Sequence, residues 1–520
     1  MGIVKAAFTV GAFTLFSRLA GFVRECVMAY CLGAGMHSDA LLIALRISNT
    51  FRRIFAEGAF NASFLPRFSK VLNVDGKEEA NVVLSDVFSL MLMVLTVFSI
   101  IVIVFFPSVL VVLVSGFDML SAKFGLTVTL GRICFPYLIL ISITSLFCGV
   151  LNTIHRFALP AAAYSLLSIF TATAIGASYC LSFSNAVTVH IAACAVLLSG
   201  VVQSYLLYAS VRRHGFRVSF KLKCWSATVK DIMKNMIPGI IGAGVWQLNL
   251  LVDTTIASYL PTGTITCMNL ADRLNQFPLG TLGIALSTAL LPILSKFISQ
   301  NEYDKAQMEL ERGLLFAFFL TFFATALLLA LDEPSVSVAF QRGMFEAEQV
   351  RITASAVTGF AIGLPAYVLT KVFSSVFFAT GDTTSPVVFG MVSVVLNVMF
   401  LLAMVPFLKY FGLALCTSLS AISNAVMLIY FSRRKLSLKL SQVFWMKISF
   451  QFAAALVTYL TLTWLTDTYW TAELGTKTIK WAVYFGFLGI AVMVFVAVTV
   501  LCLIATKQKQ WRLWKKDAWA

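Results

Sequence analysis

The sequence predicts an all-α integral membrane protein with fourteen transmembrane helices, arranged as two six-helix lobes and an additional pair. Three observations predict it. Of 520 residues, 59% are hydrophobic and 12% charged, with mean hydropathy +0.90, whereas a soluble domain carries roughly 25% charged residues. Apolar runs long enough to cross a bilayer, which takes about 20 residues each, recur from the first residues almost to Lys507. The cations between these runs fall mainly into alternate loops. No stretch is left for a water-soluble domain, so soluble enzymes are excluded.

Taken in order, the spans lie near 5–32, 38–66, 81–106, 124–150, 157–183, 187–211, 232–258, 266–294, 307–331, 349–379, 384–407, 410–432, 442–466 and 481–505. The first is expected to stay in the mature protein, because Arg18 and Arg24 interrupt it and no small-residue cleavage site follows. An even count puts both ends on one side. That side gathers Lys5, Arg67, Lys70, Lys77 and Arg156, then a cluster from Arg212 to Lys234. It continues with Lys296, Lys305, Arg312, residues 433–447 and the tail from Lys507 to Lys516. This makes about 25 cations, against about six (Lys123, Arg342, Arg351, Lys409, Lys477, Lys480) on the other side, so both termini are expected in the cytoplasm. Most of the net charge of +16 is therefore topological and does not call for nucleic acid as a partner. The 212–234 cluster is read as a topology signal in contact with anionic lipid, with a regulatory partner as the alternative.

A repeat supports the division into lobes. Leu65-Pro66-Arg67-Phe68-Ser69-Lys70 ends span two, and Leu291-Pro292-Ile293-Leu294-Ser295-Lys296, 226 positions on, ends span eight. The same shift carries Pro160 onto Pro386, and nearly the same shift carries Pro136 onto Pro365. Six spans is an even offset, so the copies enter the membrane in the same direction and form parallel repeats. The expected division is 1–217 for spans one to six, 218–435 for spans seven to twelve, and 436–520 for spans thirteen and fourteen with a basic tail.

The informative residues are charges inside the spans. Arg18, Arg24, Arg46, Arg52, Arg53, Arg132, Arg273 and Lys371 remain there, each costing about 2.5–3.5 kcal/mol at a helix centre. Acids in the same zones are fewer: Glu25, Glu57, Asp253 and Asp272, with Asp39 at the outer end of span two. Arg53 reaches Glu57 at i+4, which reads as an internal pair. Arg18, Arg24 and Arg52 exceed the acids that could serve them and point to an anionic ligand of phosphate or carboxylate type. Gly21 is expected to let span one bend so that Arg18 and Arg24 face one cavity. Arg273 is expected from the other lobe. Asp253, inside an apolar run of span seven, is expected to take a proton or hold a small cation, with Asn397 and Thr417 as neutral oxygen donors; a hydrogen-bonded structural role is the alternative. The ten cysteines are scattered without metal-ligand spacing, and no G-x-x-x-x-G-K stretch supports ATP hydrolysis. No cofactor is expected beyond coupling to sodium or protons.

Residues Phe16-Ser17-Arg18-Leu19-Ala20-Gly21-Phe22-Val23-Arg24, Gly33-Ala34-Gly35 with Asp39, and Asn49 followed by Arg52-Arg53-Ile54-Phe55-Ala56-Glu57-Gly58-Ala59-Phe60 resemble the MurJ/MviN lipid II flippase family. So do Phe135-Pro136-Tyr137, Leu151-Asn152-Thr153, Ala271-Asp272-Arg273-Leu274 and Leu290-Leu291-Pro292. The resemblance implies the fold of the multidrug/oligosaccharidyl-lipid/polysaccharide (MOP, MATE-like) exporters and alternating access around a central cationic cavity. It implies a bacterial inner membrane protein that moves undecaprenyl-pyrophosphate-linked peptidoglycan precursor, lipid II, outward, in the company of membrane lipids and cell-wall synthesis proteins. By motif, Arg18, Arg24, Arg52 and Arg273, with Ser17, would face the pyrophosphate. Asp39, Arg53 and Glu57 would line or gate the cavity, with outward opening governed by charge pairs near Asp39. Spans thirteen and fourteen would hold the lipid tail. The chain departs from the pattern at Asn275-Gln276-Phe277-Pro278, where relatives show a Glu, and at Leu401, where a second acid is expected. The alternatives are a flippase for another lipid-linked oligosaccharide, a cation-coupled drug exporter of the same fold, and a membrane-embedded transferase. The last would need paired carboxylates or a His base, and the four His are dispersed.

Overall fold

The computed structural model describes residues 3–55, 58–436, 441–470 and 477–517, and among them regular structure is entirely helical. Among the described residues the fourteen expected spans fall on helix; residues 56 and 57 of span two lie outside them. Among the described residues eight helices are long and apolar enough to cross a membrane, nine if one bent pair counts as a single span. Those that fall short among the described residues are the helices carrying the charges of spans one, two, seven and eight.

The chain forms two compact units, Met1–Thr266 with Arg342–Glu346, and Cys267–Gln341 with Ala347–Ala520. The first contains α1 (Ile3–Leu32), α2 (Met36–Phe55), α3 (Gly58–Val74), α4 (Lys77–Val104), α5 (Phe106–Leu113), α6 (Ala122–Cys134), α7 (Tyr137–Thr153), α8 (Ala158–Ala163), α9 (Ser165–Cys180), α10 (Asn185–Arg213) and α11 (Ala227–Ala257). Span four breaks before Pro136, the residue that precedes α7, because proline cannot donate to the preceding turn. Serine starts several helices: Ser121, Ser184 and Ser226 accept hydrogen bonds from Phe124, Val187 and Val229 N, satisfying first-turn amides that lipid could not.

Phe60, Phe64 and Phe68, at i, i+4 and i+8 of α3, stack with ring centroids 5.2 and 5.1 Å apart. They are buried against α7 through Leu146, Phe147, Val150 and Leu151, and against α11 through Val229 and Ile232. In lipid the gain is close packing rather than escape from water, which is why Gly149 stands opposite Phe64, 3.4 Å from where its Cβ would lie.

Span seven is fastened to the first compact unit, which runs to Thr266. Near its first turns Arg67 pairs with Asp231. Near its last turns Thr255 Oγ1 donates to Leu113 O at 2.7 Å, Gly116 N to Ser258 Oγ at 2.9 Å, and Arg46 Nη1 to Thr254 Oγ1 at 2.6 Å.

The second unit contains α12 (Thr264–Ser299), whose first residues belong to the first unit, α13 (Tyr303–Ala330), α14 (Asp332–Phe340), α15 (Ala347–Ile362), α16 (Leu364–Ala379), α17 (Thr384–Leu436), α18 (Gln442–Tyr469) and α19 (Lys477–Asp517). α15 and α16 are bent by 41° at Gly363, ahead of Pro365. α17 joins spans eleven and twelve with a single non-helical residue, Lys409 (φ 46°, ψ −119°). The chain folds back there: a Cβ on Gly412 would lie 3.2 Å from Met404 O, eight residues away, a distance of about 12 Å along a straight helix. α18 and α19 pack on α13, with Phe495 5.0 Å from both Phe319 and Phe323 and the small residues Ala326, Ala454, Ala455 and Ala491 buried in the same clusters. Most of their remaining surface faces outward.

Candidate functional site

α1 carries Ser17, Arg18 and Arg24, all half-buried, and runs unbroken through Gly11 and Gly21. Only Ser168 Oγ, at 3.8 Å, comes near where a Cβ would sit on Gly21, so no close helix crossing forces a bend. Arg18 makes no ion pair or hydrogen bond among the described residues. Arg24 differs: its Nη2 lies 2.6 Å from Glu25 Oε1, with Arg24 12% exposed and Glu25 fully buried. Adjacent helical residues point about 100° apart, so both side chains must turn toward each other. Arg24 is thus not a surplus cation in this state, a correction to the charge count.

On α2, Arg52 Nε donates to Asn49 Oδ1 at 3.1 Å and its side chain is half-buried. Arg53 is exposed, and its expected partner Glu57 lies outside the described residues. Arg46, left without a role by the sequence, ties α2 to α11 through Thr254. This places a guanidinium on the residue next to Asp253.

Asp39 is the most heavily bonded group of the region. Fully buried, its carboxylate accepts from Lys123 Nζ at 2.7 Å, Gly263 N at 2.7 Å, Thr266 N at 2.9 Å and Thr266 Oγ1 at 2.7 Å. Ser38 Oγ accepts from Thr266 Oγ1 at 3.1 Å. The carboxylate therefore caps the first turn of α12, where unpaired amides and the helix dipole favour negative charge. Lys123 also sits 4.3 Å from the centre of the Phe117 ring. The sequence had named Asp39 but missed Lys123 and the 263–266 turn. The available signal was that Lys123 belongs to the few cations on the side disfavoured by the charge rule, where a local partner is needed.

A second contact, also unread in the sequence, closes on the end of α1. Met344 N donates to Tyr30 O at 2.9 Å. Gly343 (φ +59°) would place a Cβ 2.2 Å from Tyr30 O, and Gly33 (φ +61°) one 2.4 Å from Met344 O. Both glycines combine a left-handed conformation with backbone-to-backbone approach. Gly343→Ala is expected to lower stability by about 2 kcal/mol or more, read as a fall in Tm of the purified protein. Gly11→Ala, which meets nothing within 4 Å, should leave Tm in place.

In the second unit Arg273 is half-buried on α12, and neighbouring Asp272 accepts a hydrogen bond from Gln276. Asn275, in the stretch where a Glu is expected, is buried, and its Oδ1 has no partner among the described residues. The cation set is divided: Asp253, half-buried, belongs to the first unit, and Asn397 and Thr417 to the second. Thr417 Oγ1 donates to Leu413 O at 3.2 Å, while Asn397 is fully buried. No group of three His, Cys, Asp or Glu that could hold a metal occurs among the described residues.

Comparison with known proteins gives consistent matches. Residues 28–513 match the model of the family described as lipid II flippase MurJ. A probable lipid II flippase MurJ of Rhizobium meliloti is 38% identical over 430 residues, covering 82% of this chain and 80% of that one. The lipid II flippase MurJ of Burkholderia cenocepacia is 32% identical over 440 residues, covering 84% of each. Among solved structures, lipid II flippase MurJ in an inward closed conformation superposes with TM-score 0.79 at 21% identity, over 96% of this chain and 99% of the other. An inward-facing MATE family multidrug transporter of the MOP superfamily gives TM-score 0.70 at 15% identity, over 83% and 98%. At these identities the structures speak for the fold alone, and the fold is that of the MOP exporters.

Proposed function

This chain belongs to the lipid II flippase MurJ family, and from that membership we propose that it carries lipid II, the undecaprenyl-pyrophosphate-linked peptidoglycan precursor, from the cytoplasmic to the periplasmic leaflet. It is an integral membrane transporter and breaks no bond. The observation that carries the reading is identity of 38% across four-fifths of the chain, together with Arg18 held half-buried with no carboxylate against it among the described residues.

The physical task is to move a polar, doubly anionic head past hydrocarbon while the polyprenyl tail stays in lipid. The protein need shield only the head. Arg18 and Arg52, with Ser17, bind the pyrophosphate through charge-assisted hydrogen bonds, Arg273 contributes from the second unit, and Arg24 joins them as the substrate competes with Glu25. Alternating access exposes this set first to the cytoplasm and then to the periplasm. Asp39 with Lys123 acts at the outer gate, joined by Arg53 and Glu57, and spans thirteen and fourteen hold the tail. The cation excess on one set of loops supports an inner-membrane chain with both termini cytoplasmic. Membrane potential or an ion gradient supplies the bias, with Asp253 as the proton or sodium site, and cell-wall synthesis proteins are its partners in the membrane.

Depletion in the native cell tests the assignment. Lipid-linked precursor should accumulate in the cytoplasmic leaflet. Normal arrival in the periplasm, with no other flippase present, would reject it.

A further inference from the structure

The segment between α10 and α11 is an extended strap laid along the inner end of α4. Asn81, Ser85 and Ser89, at i, i+4 and i+8 of α4, hold alternate residues of it: Arg217 N donates to Asn81 Oδ1 at 2.9 Å, Ser219 N to Ser85 Oγ at 3.1 Å, and Lys221 N to Ser89 Oγ at 2.9 Å. Lys77 Nζ fixes the start through His214 O at 2.8 Å. Beyond Lys221 the strap walls a cavity of about 720 Å³, lined by Asp86, Leu90, Met93, Leu222, Lys223 and Trp225 among others.

α4 fixes the depth of this cavity. Its 28 residues span about 42 Å, roughly 12 Å more than the hydrocarbon core, so about eight residues project beyond it. The exposed apolar face agrees: from Val94 onward, Val97, Ile100, Ile101 and Val104 are all open. Asp86, with strap residues 222–225, therefore sits at the boundary between headgroups and acyl chains, and Leu90 and Met93 lie about 6 and 10 Å further toward the hydrocarbon. There the strap alternates anchoring apolar and basic side chains: Phe220, Leu222 and Trp225 are 52%, 81% and 60% exposed, interleaved with Lys221 and Lys223. Aromatic and Lys residues together suit that layer. The local acids are already paired, Asp86 with Lys221 at 3.2 Å and Asp231 with Arg67. Asp75, Glu78 and Glu79 lie toward the far end of the strap, beside Lys77. From 212 to 234 seven cations face one acid, and Lys223 is exposed with no ion pair among the described residues.

We propose that this cavity is a binding site for the headgroup of an anionic membrane phospholipid, its phosphate on Lys223 and its upper acyl chain against Leu222, Trp225, Leu90 and Met93. The occupant is a bulk lipid of the leaflet, distinct from the transported substrate, and the site requires nothing of the transport reading. Its experiment is accordingly independent of flipping. The full chain is reconstituted in phosphatidylcholine bilayers, and its tryptophan fluorescence is quenched by phosphatidylglycerol or phosphatidylcholine with brominated acyl chains. The difference between the wild type and Trp225→Phe isolates quenching at the cavity. Phosphatidylglycerol should be preferred there by about fivefold, the effect of one cation near an anionic headgroup, and Lys223→Gln should bring the preference close to one. Both side chains are exposed, so neither substitution threatens the fold. Equal quenching by the two lipids, a preference unchanged in Lys223→Gln, or displacement of phosphatidylglycerol by lipid II at equal mole fraction but not by unlabelled phosphatidylglycerol would each overturn the site.

Discussion

Arg18→Ala is expected to abolish growth of cells that depend on this chain while its membrane level stays at or above wild type. Removing a half-buried guanidinium relieves an insertion cost of about 2.5–3.5 kcal/mol at a helix centre, so the folded protein loses nothing by it. The substrate complex loses charge-assisted hydrogen bonds worth about 1.5–3 kcal/mol each, a drop of one to two orders of magnitude in head-group affinity for a single bond and more for a bidentate pair. Arg18→Lys retains the charge without the planar fork and should recover only part of the function. Arg24→Ala should behave differently, because it breaks the 2.6 Å ion pair to the buried Glu25 carboxylate. Breaking such a pair costs about 3–5 kcal/mol, so the protein should also fall in abundance, and Glu25→Gln in the same chain should restore abundance without restoring growth. Quantitative immunoblotting beside complementation separates the two. Full complementation by both alanine variants would make these arginines structural.

The second large effect is expected at Asp39. Asp39→Ala strands Lys123, only 12% exposed, and takes the acceptor from Gly263 N and Thr266 N. The expected loss is about 3–5 kcal/mol, visible as a fall in Tm of the purified protein. Lys123→Met alone should cost less, since Asp39 keeps its amide and hydroxyl donors. The double variant should be more stable than the sum of the single losses implies, by an interaction energy of about 1–3 kcal/mol. Strict additivity would show that the two groups do not act as a pair.

Hydropathy located the apolar segments, and where the structure describes them they fell on helix, because the cost of exposing backbone to lipid leaves few alternatives. Pro136 and Pro365, which the sequence offered only as landmarks of the repeat, stand at two of the breaks. What hydropathy reports is depth in the bilayer, not which neighbour a helix chooses. The attachment of α11 to the first unit depends on Thr255, Ser258 and Arg46 meeting backbone and side-chain atoms far away in sequence, and periodicity carries no trace of such meetings. The pairing of Arg24 with Glu25 was hidden for a related reason, since adjacent residues on a helix ordinarily diverge. Asp39 was legible as an acid in an expensive place. Its partner Lys123, 84 positions away, showed only as an exception to the charge rule. The serine ladder on α4 reads as ordinary helix until the strap beside it is seen.

The turn at residues 342–346 has a practical side. Turns between membrane helices are the usual sites for epitope tags and fluorophores, because loop tips tolerate insertion. This one does not offer that freedom: Phe345 is buried, and Gly343 and Gly33 hold main chain against main chain. A reporter placed there would pry the turn off the end of α1 and change the state it was meant to observe. Leu120, 96% exposed, is the better attachment point for watching this protein at work.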